Sequence, residues 1–170
     1  MNYDLKLKEN NMETYNPGIV FGEKNARCSN HTATKNSINN DIFIPPNFKI
    51  LIIDDDIDFL NALEYRLSQK KIEVFAVDSG YDALEVLKEE YFDLIILDLV
   101  MPDMSGVQTF QRIKQIEEKP FVVIITAYSE DEQVETVKKL NPFGFIKKPF
   151  DLNDLMPYIK KRVKEEVNGN

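Results

Sequence analysis

Short apolar runs alternate with amphipathic segments from residue 49 onward, and this alternation restricts the fold more than any other feature of the chain. The runs are three to five residues long, which is the length of a buried strand. The segments between them repeat apolar residues every three or four positions, as helices do. Five strands alternating with five helices predict an α/β fold with a doubly wound parallel sheet, covered by helices on both faces. The predicted strands are residues 50–53, 74–77, 94–97, 122–126 and 144–146.

Each predicted helix carries one apolar stripe, and several have a residue that can cap the first turn. Asp56, Ser79 and Asp151 stand where an N-cap is expected, and Ser129 with Glu132 fits a capping box. These local signals agree with the alternation of strands and helices. The stripes consist of Phe59, Leu60, Leu63 and Leu67; Ala83, Leu84 and Leu87; Val107, Phe110 and Ile113; Val134, Val137 and Leu140; and Leu152, Leu155, Ile159 and Val163.

Pro157 falls inside the last predicted helix. Proline has no N–H to bond the carbonyl of Asn153, and its ring clashes with that carbonyl. We therefore expect a kink near residues 153–157, or a helix that begins late.

The first part of the chain differs from the rest. Residues 1–47 are rich in asparagine and show no sustained helical or strand period, so they bury too little apolar surface to offset their chain entropy. We predict an N-terminal extension without regular structure at residues 1–47, in which Ile42, Phe43 and Ile44 either dock on the domain edge or stay unstructured. The folded domain is predicted at residues 48–168.

Charge and composition exclude several classes of function. The net charge is −8, and residues 48–170 carry the whole excess, with 16 basic and 24 acidic side chains. An acidic domain without a basic stripe argues against nucleic-acid binding, which depends on neutralising phosphates. The chain has no apolar run of about 18 residues, so we expect no membrane insertion.

The N-terminus lacks the basic start and apolar core of a secretory signal. Cys28 and His31 are the single cysteine and the single histidine, which excludes an internal disulfide and a zinc site built from cysteines or several histidines. These features predict a location in the reducing cytoplasm.

Polar side chains follow four of the five predicted strands. Asp54 and Asp55 follow the first strand, Asp98 follows the third, Thr126 ends the fourth, and the pair 147–148, both lysines, follows the fifth. Because parallel strands end at one edge of the sheet, where ligands bind in open α/β folds, these groups should meet. Clustered carboxylates repel one another unless a cation is present. Their hard oxygen ligands suit Mg²⁺, beside which a carboxylate can act as a nucleophile toward phosphorus.

Four segments carry a family resemblance: KILIIDDD from Lys49, LDLVMPDMSG from Leu97, ITA from Ile125 and FIKKPF from Phe145. Together they resemble the receiver domain of two-component response regulators, over about residues 48–167. The resemblance implies a flavodoxin-like sheet in the strand order 2-1-3-4-5. It also implies a domain that accepts phosphate from a histidine kinase or a phosphotransfer protein in a phosphorelay, and that binds Mg²⁺.

The resemblance also implies roles for individual residues. Asp98 is the expected phosphoacceptor, and Asp54, Asp55 and the backbone carbonyl of Val100 are expected to join it around the metal ion. Thr126 is expected to supply the switch hydroxyl. Lys148 is expected to be the lysine that the family places immediately before a proline. Lys147 is its rival, although neighbouring strand residues face opposite ways. The Lys148–Pro149 bond is expected to be cis.

Further expectations concern switching and lifetime. Phe145 matches the family's aromatic switch position but has no hydroxyl group, so it acts sterically or is simply a core residue. The implied output surface, for an unknown downstream protein, runs from Asp131 to Lys164. Val100 and Tyr128 occupy the two positions that tune dephosphorylation in the family, and neither has a carboxylate or amide to orient an attacking water. We therefore expect a long-lived aspartyl phosphate.

Other assignments fit less well. The spacing Asp54, Asp56, Asp58 begins like a calcium loop, but Phe59 and Tyr65 replace the required glycine and glutamate. A haloacid-dehalogenase-type phosphatase needs a second acidic pair at a later strand end, but the fourth strand here ends in Thr126, followed by Ala127 and Tyr128. Two hypotheses stay open: a stand-alone phosphorylation switch that is not itself an enzyme, and a phosphorylation-independent receiver-like scaffold or binding domain.

Overall fold

The computed structural model describes residues 43–127 and 132–168. The chain divides into two units, Met1–Asn39 and Asn40–Asn170, and every described residue belongs to the second unit. The predicted residues Ser129 and Asp131 and the predicted extension up to residue 42 lie outside the described residues. The elements are β1 (Lys49–Ile53), α1 (Ile57–Ser68), β2 (Glu73–Val77), α2 (Gly80–Glu89), β3 (Leu94–Asp98), α3 (Gly106–Ile116), β4 (Val122–Thr126), α4 (Glu132–Lys139), β5 (Gly144–Lys147) and α5 (Leu152–Asn168).

The five strands form one parallel sheet in the order β2-β1-β3-β4-β5, which confirms the predicted topology. Strands β3 and β4 are buried along their whole length, and β1 is buried from Ile50 onward. Central strands of a parallel sheet are covered on both faces, and this explains why their sequences are continuous apolar runs rather than alternating ones.

The helices divide between the two faces of the sheet. Ile50 and Ile52 pack with the stripes of α1 and α5 on one face. Leu51 and Ile53, which point the other way, pack with α2, α3 and α4 on the opposite face. Each predicted stripe therefore packs against one of the two faces of the sheet.

Local capping agrees with the sequence. The Asp56 carboxylate accepts a hydrogen bond from the backbone of Phe59 at the start of α1, and Ser79 caps α2 in the same way. A complete capping box between Ser105 and Gln108 opens α3, and this box was not predicted. Of the apolar residues before β1, Ile44 packs against the α1–α5 side of the core, whereas Phe43 is 79% exposed.

Helix α5 begins at Leu152 and continues through Pro157, so the expected late start is wrong. Contacts within the first turn explain the early start. The Asp151 carboxylate accepts a hydrogen bond from the N–H of Asn153, and the Asp154 carboxylate accepts one from the N–H of Asp151. A kink at Pro157 stays a prediction. Within residues 43–127 and 132–168, no helix is both long and apolar enough to cross a membrane.

A buried arginine joins α5 to the amino edge of the sheet. Arg162 is 6% exposed. Its Nε donates to the backbone carbonyl of Asp93 at 3.0 Å, and its Nη2 donates to the Tyr91 hydroxyl at 3.1 Å. Its Nη2 also lies 3.5 Å from one Asp93 carboxylate oxygen, while the other oxygen accepts from the backbone N–H of Lys49 at 2.8 Å. The guanidinium group also lies over the Phe121 ring, 4.2 Å from its centroid.

We predict that Arg162→Ala lowers the free energy of unfolding by about 3–5 kcal/mol, because it leaves the buried Asp93 carboxylate without its cation. Urea denaturation measures the change. The control is Lys88→Ala, which breaks the exposed pair between Lys88 and Glu85 and should leave the midpoint almost unchanged. An equal effect of both substitutions would contradict a structural role for the Arg162 contacts.

Candidate functional site

The residues predicted at the strand ends come together at the carboxyl edge of the sheet. Asp54 directly follows β1, Asp98 is the last residue of β3, and Thr126 is the last residue of β4. All three are almost fully buried, with exposed fractions of 0%, 6% and 5%. Lys148 follows β5, and its N–H donates to the Thr126 carbonyl at 2.8 Å. The hydrogen bonding between β4 and β5 therefore continues into the site.

Three carboxylates converge at this edge. Asp54, Asp55 and Asp98 each offer an oxygen, and these oxygens all lie within 4.8 Å of one another. Backbone donors orient the two buried groups: the N–H of Asp56 donates to Asp54 Oδ1 at 3.1 Å, and the N–H of Leu99 donates to Asp98 Oδ1 at 2.9 Å. Asp55 is exposed, so the cluster opens to solvent on its side.

Among residues 43–127 and 132–168, the ammonium group of Lys148 is the cation that contacts the two buried carboxylates of the site. Its Nζ donates to Asp54 Oδ2 at 2.6 Å and lies 3.5 Å from Asp98 Oδ2. Lys147 is exposed and belongs to β5, and the strand period turns its side chain away from that of its neighbour. The structure thus brings Lys148, and not its rival, to the carboxylates. The Lys148–Pro149 peptide bond is cis, as expected.

The charges in the site do not balance. The pKa of Asp98 is raised to about 6, chiefly by burial and in addition by the nearby Asp54 carboxylate. The Lys148 ammonium and the backbone N–H of Leu99 act in the opposite direction. Desolvation is the largest cause, because a buried carboxylate loses water that the folded protein replaces only in part. One lysine therefore does not fully compensate the negative charge at this edge.

The donor set fits a divalent cation with hard oxygen ligands. Three carboxylates from two neighbouring strand ends lie close enough to share one ion, and one of them faces solvent, where bound waters can complete the shell. Mg²⁺ is typically held by one or two carboxylates together with several waters. The residues present therefore fit the expected metal.

Two other predicted residues lie at the rim or in the core. Val100, two residues after Asp98, has an exposed side chain at 44%. Phe145 is partly buried in β5 and packs against the α2–α4 side of the core. Its backbone carbonyl accepts a hydrogen bond from the Tyr158 hydroxyl at 2.8 Å, which links β5 to α5.

Two residues near the site were missed as site residues. A Cβ on Gly106 would lie 2.1 Å from the Asp98 carbonyl oxygen, so only glycine lets the start of α3 approach the backbone at the end of β3. Gly106 ends the segment LDLVMPDMSG that carries part of the resemblance, but no role was predicted for it. Phe59, assigned only to the apolar stripe of α1, places its ring 4.7 Å from Lys148 Nζ. Helical spacing alone gives no signal for that contact.

We predict that Asp98→Asn stabilises the metal-free protein at pH 7 by up to about 3 kcal/mol. The folded protein binds the Asp98 proton more tightly than the unfolded chain does, since the pKa rises from 3.8 to about 6. The free energy of unfolding of the wild type should therefore fall as the pH rises from 4 to 6, and that of the variant should fall less.

Urea denaturation with a chelator at pH 4 and pH 7 measures this difference. Asp103→Asn, at an exposed position two residues before α3's N-cap, is the control and should behave like the wild type at both pH values. A gap between wild type and Asp98→Asn that is the same at pH 4 and pH 7 would refute the account of the charge imbalance.

Comparison with known proteins agrees with this geometry. Residues 50–160 match the family model described as the response regulator receiver domain. Sporulation initiation phosphotransferase F of Bacillus subtilis (strain 168) is 33% identical over 115 residues, which cover 68% of this chain and 93% of that protein. The transcriptional regulatory protein ZraR of Escherichia coli (strain K12) is 34% identical over 115 residues, but this chain spans only 26% of its length.

Solved structures show the same fold. A receiver domain protein (CheY-like) from Methanospirillum hungatei JF-1 superposes with a TM-score of 0.68 at 24% identity, covering 73% of this chain and 99% of that one. A receiver domain protein from Clostridium thermocellum gives a TM-score of 0.67 at 26% identity, with coverage of 72% and 99%. With its five-stranded order and its cluster of strand-end carboxylates, the chain belongs to the family of response regulator receiver domains.

Proposed function

We propose that this chain is a phosphoacceptor switch, which takes a phosphoryl group from a histidine kinase or a phosphotransfer protein onto Asp98. The observation that carries the proposal is the contact of one ammonium group with two buried carboxylates from different strand ends. Lys148 Nζ lies 2.6 Å from Asp54 and 3.5 Å from Asp98. A scaffold that never binds phosphate has no need to bury this costly set of charges.

The transfer forms a bond between an Asp98 carboxylate oxygen and phosphorus and breaks the bond from phosphorus to the donor's histidine nitrogen. Asp98 attacks as the carboxylate, the form that prevails above its pKa of about 6. Lys148 offsets negative charge on the transferred group, and the Thr126 hydroxyl can donate to one of its oxygens. The chain assists its own phosphorylation and dephosphorylation, and we do not assign it an enzyme activity on a separate substrate.

The metal ligands in this proposal are Asp54, Asp55, Asp98 and the backbone carbonyl of Val100, and the ion is Mg²⁺. When bound, it supplies positive charge against the phosphoryl oxygens. Asp55 is the exposed member of the set, so we assign it as a direct ligand. Asp54 is already held by Lys148 and by the N–H of Asp56, so we assign it mainly to contacts through water.

In this proposal, a change at β5 and α5 transmits phosphorylation of Asp98 to a partner protein. Receiver domains interact with histidine kinases or phosphotransfer proteins, and the B. subtilis relative is itself called a phosphotransferase. We propose that rotation of Thr126 toward the phosphoryl group lets Phe145 move inward, and that a downstream protein binds the face from residue 131, which lies outside the described residues, to Lys164. Such a partner shifts the equilibrium only by its differential affinity for the two states. The cytoplasmic location stays a prediction.

Incubation with acetyl phosphate and Mg²⁺ should add the mass of one phosphate to the wild-type protein and none to Asp98→Ala. Lys148→Ala should slow the reaction by about a hundredfold, because it removes the charge nearest the transferred group. Lys147→Ala is the matched control, a neighbouring lysine whose side chain faces away, and should react within about twofold of the wild type. Intact-protein mass spectrometry over time measures all four proteins.

Two results would contradict the proposal. Phosphate that still attaches to Asp98→Ala would place the acceptor elsewhere. A wild-type protein that takes up no phosphate, while circular dichroism shows it folded, would favour the scaffold alternative.

The phosphorylated protein should be long-lived, with a half-life of many minutes or more. The exposed Val100 side chain has no carboxylate or amide to orient a water for attack on phosphorus, and by sequence neither has Tyr128, which lies outside the described residues. Phosphate release after removal of acetyl phosphate measures the lifetime. Val100→Asn should shorten it, and a wild-type half-life of seconds would contradict the prediction.

A further inference from the structure

The ammonium group of Lys148 has a third neighbour besides the two carboxylates. Its Nζ lies 4.7 Å from the centroid of the Phe59 ring, on the first turn of α1. A cation within about 6 Å of an aromatic face is attracted by the ring's quadrupole. We infer that Phe59 is a positioning residue, which holds the Lys148 ammonium over the phosphoacceptor pocket by a cation–π contact. This inference rests on the proposed function.

Two contacts restrict Phe59, one at its backbone and one at its ring. Its backbone N–H donates to the Asp56 carboxylate at 3.0 Å, which sets its place in the first turn of α1. The ring packs edge-to-face against Phe150, with centroids 5.7 Å apart and planes at 67°. Phe150 stands two residues after Lys148, so the same short segment supplies both the lysine and the support for the ring. A ring held in this way can restrict where the lysine side chain lies.

The Phe59 ring and the carboxylates differ in how a bound metal cation affects their attraction for the Lys148 ammonium. A carboxylate that also faces a metal cation attracts the ammonium less, because the two positive charges repel. Asp54, the nearer carboxylate at 2.6 Å, is a member of the proposed metal site. The Phe59 ring carries no net charge and takes no part in that site. The ring therefore keeps the ammonium near Asp98 when a metal cation weakens the attraction of Asp54 for Lys148.

A simple packing role for Phe59 predicts a different outcome from a cation–π role. Packing depends on the size and shape of the ring, whereas the attraction depends on the negative potential of its face. Fluorine atoms on the ring edge withdraw electron density, so the potential of the ring face becomes less negative while the shape of the ring changes little. We therefore propose to place 4-fluoro-, 3,5-difluoro- and 3,4,5-trifluorophenylalanine at position 59 and to measure the initial rate of phosphorylation by acetyl phosphate with Mg²⁺.

The rate should fall stepwise with the number of fluorines, by about two- to fivefold over the series, which corresponds to the weaker end of the range of cation–π contacts. Phe143 offers a matched control, because Lys161 Nζ lies 4.2 Å from its ring centroid. Phe143 directly precedes β5 and therefore lies at the amino edge of the sheet, away from the site. The same three substitutions at Phe143 should leave the rate unchanged.

A second measurement does not depend on phosphorylation. In the metal-free protein, ring current from Phe59 should shift the NMR signals of the Lys148 CεH₂ protons upfield. Phe59→Leu, which keeps an apolar side chain, should move them back toward the values of a free lysine. Phe59→Tyr should preserve both the shift and the phosphorylation rate, because it keeps the aromatic face.

The outcomes separate this inference from the proposed function. A wild-type protein that is phosphorylated, combined with a flat fluorine series at position 59, overturns the role of Phe59 and leaves the phosphoacceptor proposal standing. An equal decline in the Phe143 series also overturns it. A wild-type protein that takes no phosphate overturns the proposed function, and with it any catalytic role of the contact.

Discussion

Repulsion between carboxylates at one edge of a parallel sheet is the constraint on which the site depends. Asp54 and Asp98 are almost fully buried, and Lys148 is the cation in contact with both. Burial of charge is costly, and the raised pKa of Asp98 indicates that the contact with Lys148 does not offset the whole cost. This arrangement attracts positive charge strongly, and the proposed transfer of a phosphoryl group to Asp98 with Mg²⁺ bound depends on that attraction.

The rest of the fold makes this arrangement possible. Two apolar faces hold the central strands in place, so their carboxyl ends stop at a common edge. At the opposite edge, Arg162 ties α5 to the starts of the strands through Asp93 and Phe121. The stabilising contacts of Arg162 and the carboxylate cluster thus lie at opposite ends of the strands. This separation lets the carboxyl edge carry unfavourable charge while the amino edge contributes stabilising contacts.

The alternation of apolar runs and amphipathic segments predicted the strands, the parallel sheet and the meeting of the strand ends, whereas the strand order came from the resemblance to the receiver family. The resemblance selected Lys148 by its place before a proline, and the strand period of two predicted that Lys147 faces the other way. Features that depend on one close contact were not predictable. Phe59 looks like any other stripe residue, the Gly106 approach depends on how α3 meets β3, and Arg162 has the pattern of a surface residue on an amphipathic helix. The start of α5 was misjudged because contacts around Asp151 outweigh the proline.

A crystal structure grown with Mg²⁺ and beryllium fluoride, a phosphoryl mimic, tests the central claim most directly. The account predicts one metal ion bound by Asp54, Asp55 and Asp98, beryllium fluoride on the Asp98 carboxylate, and the Lys148 ammonium in contact with a fluoride. Beryllium fluoride absent from Asp98, or a Lys148 side chain turned away into solvent with the metal site empty, would contradict it.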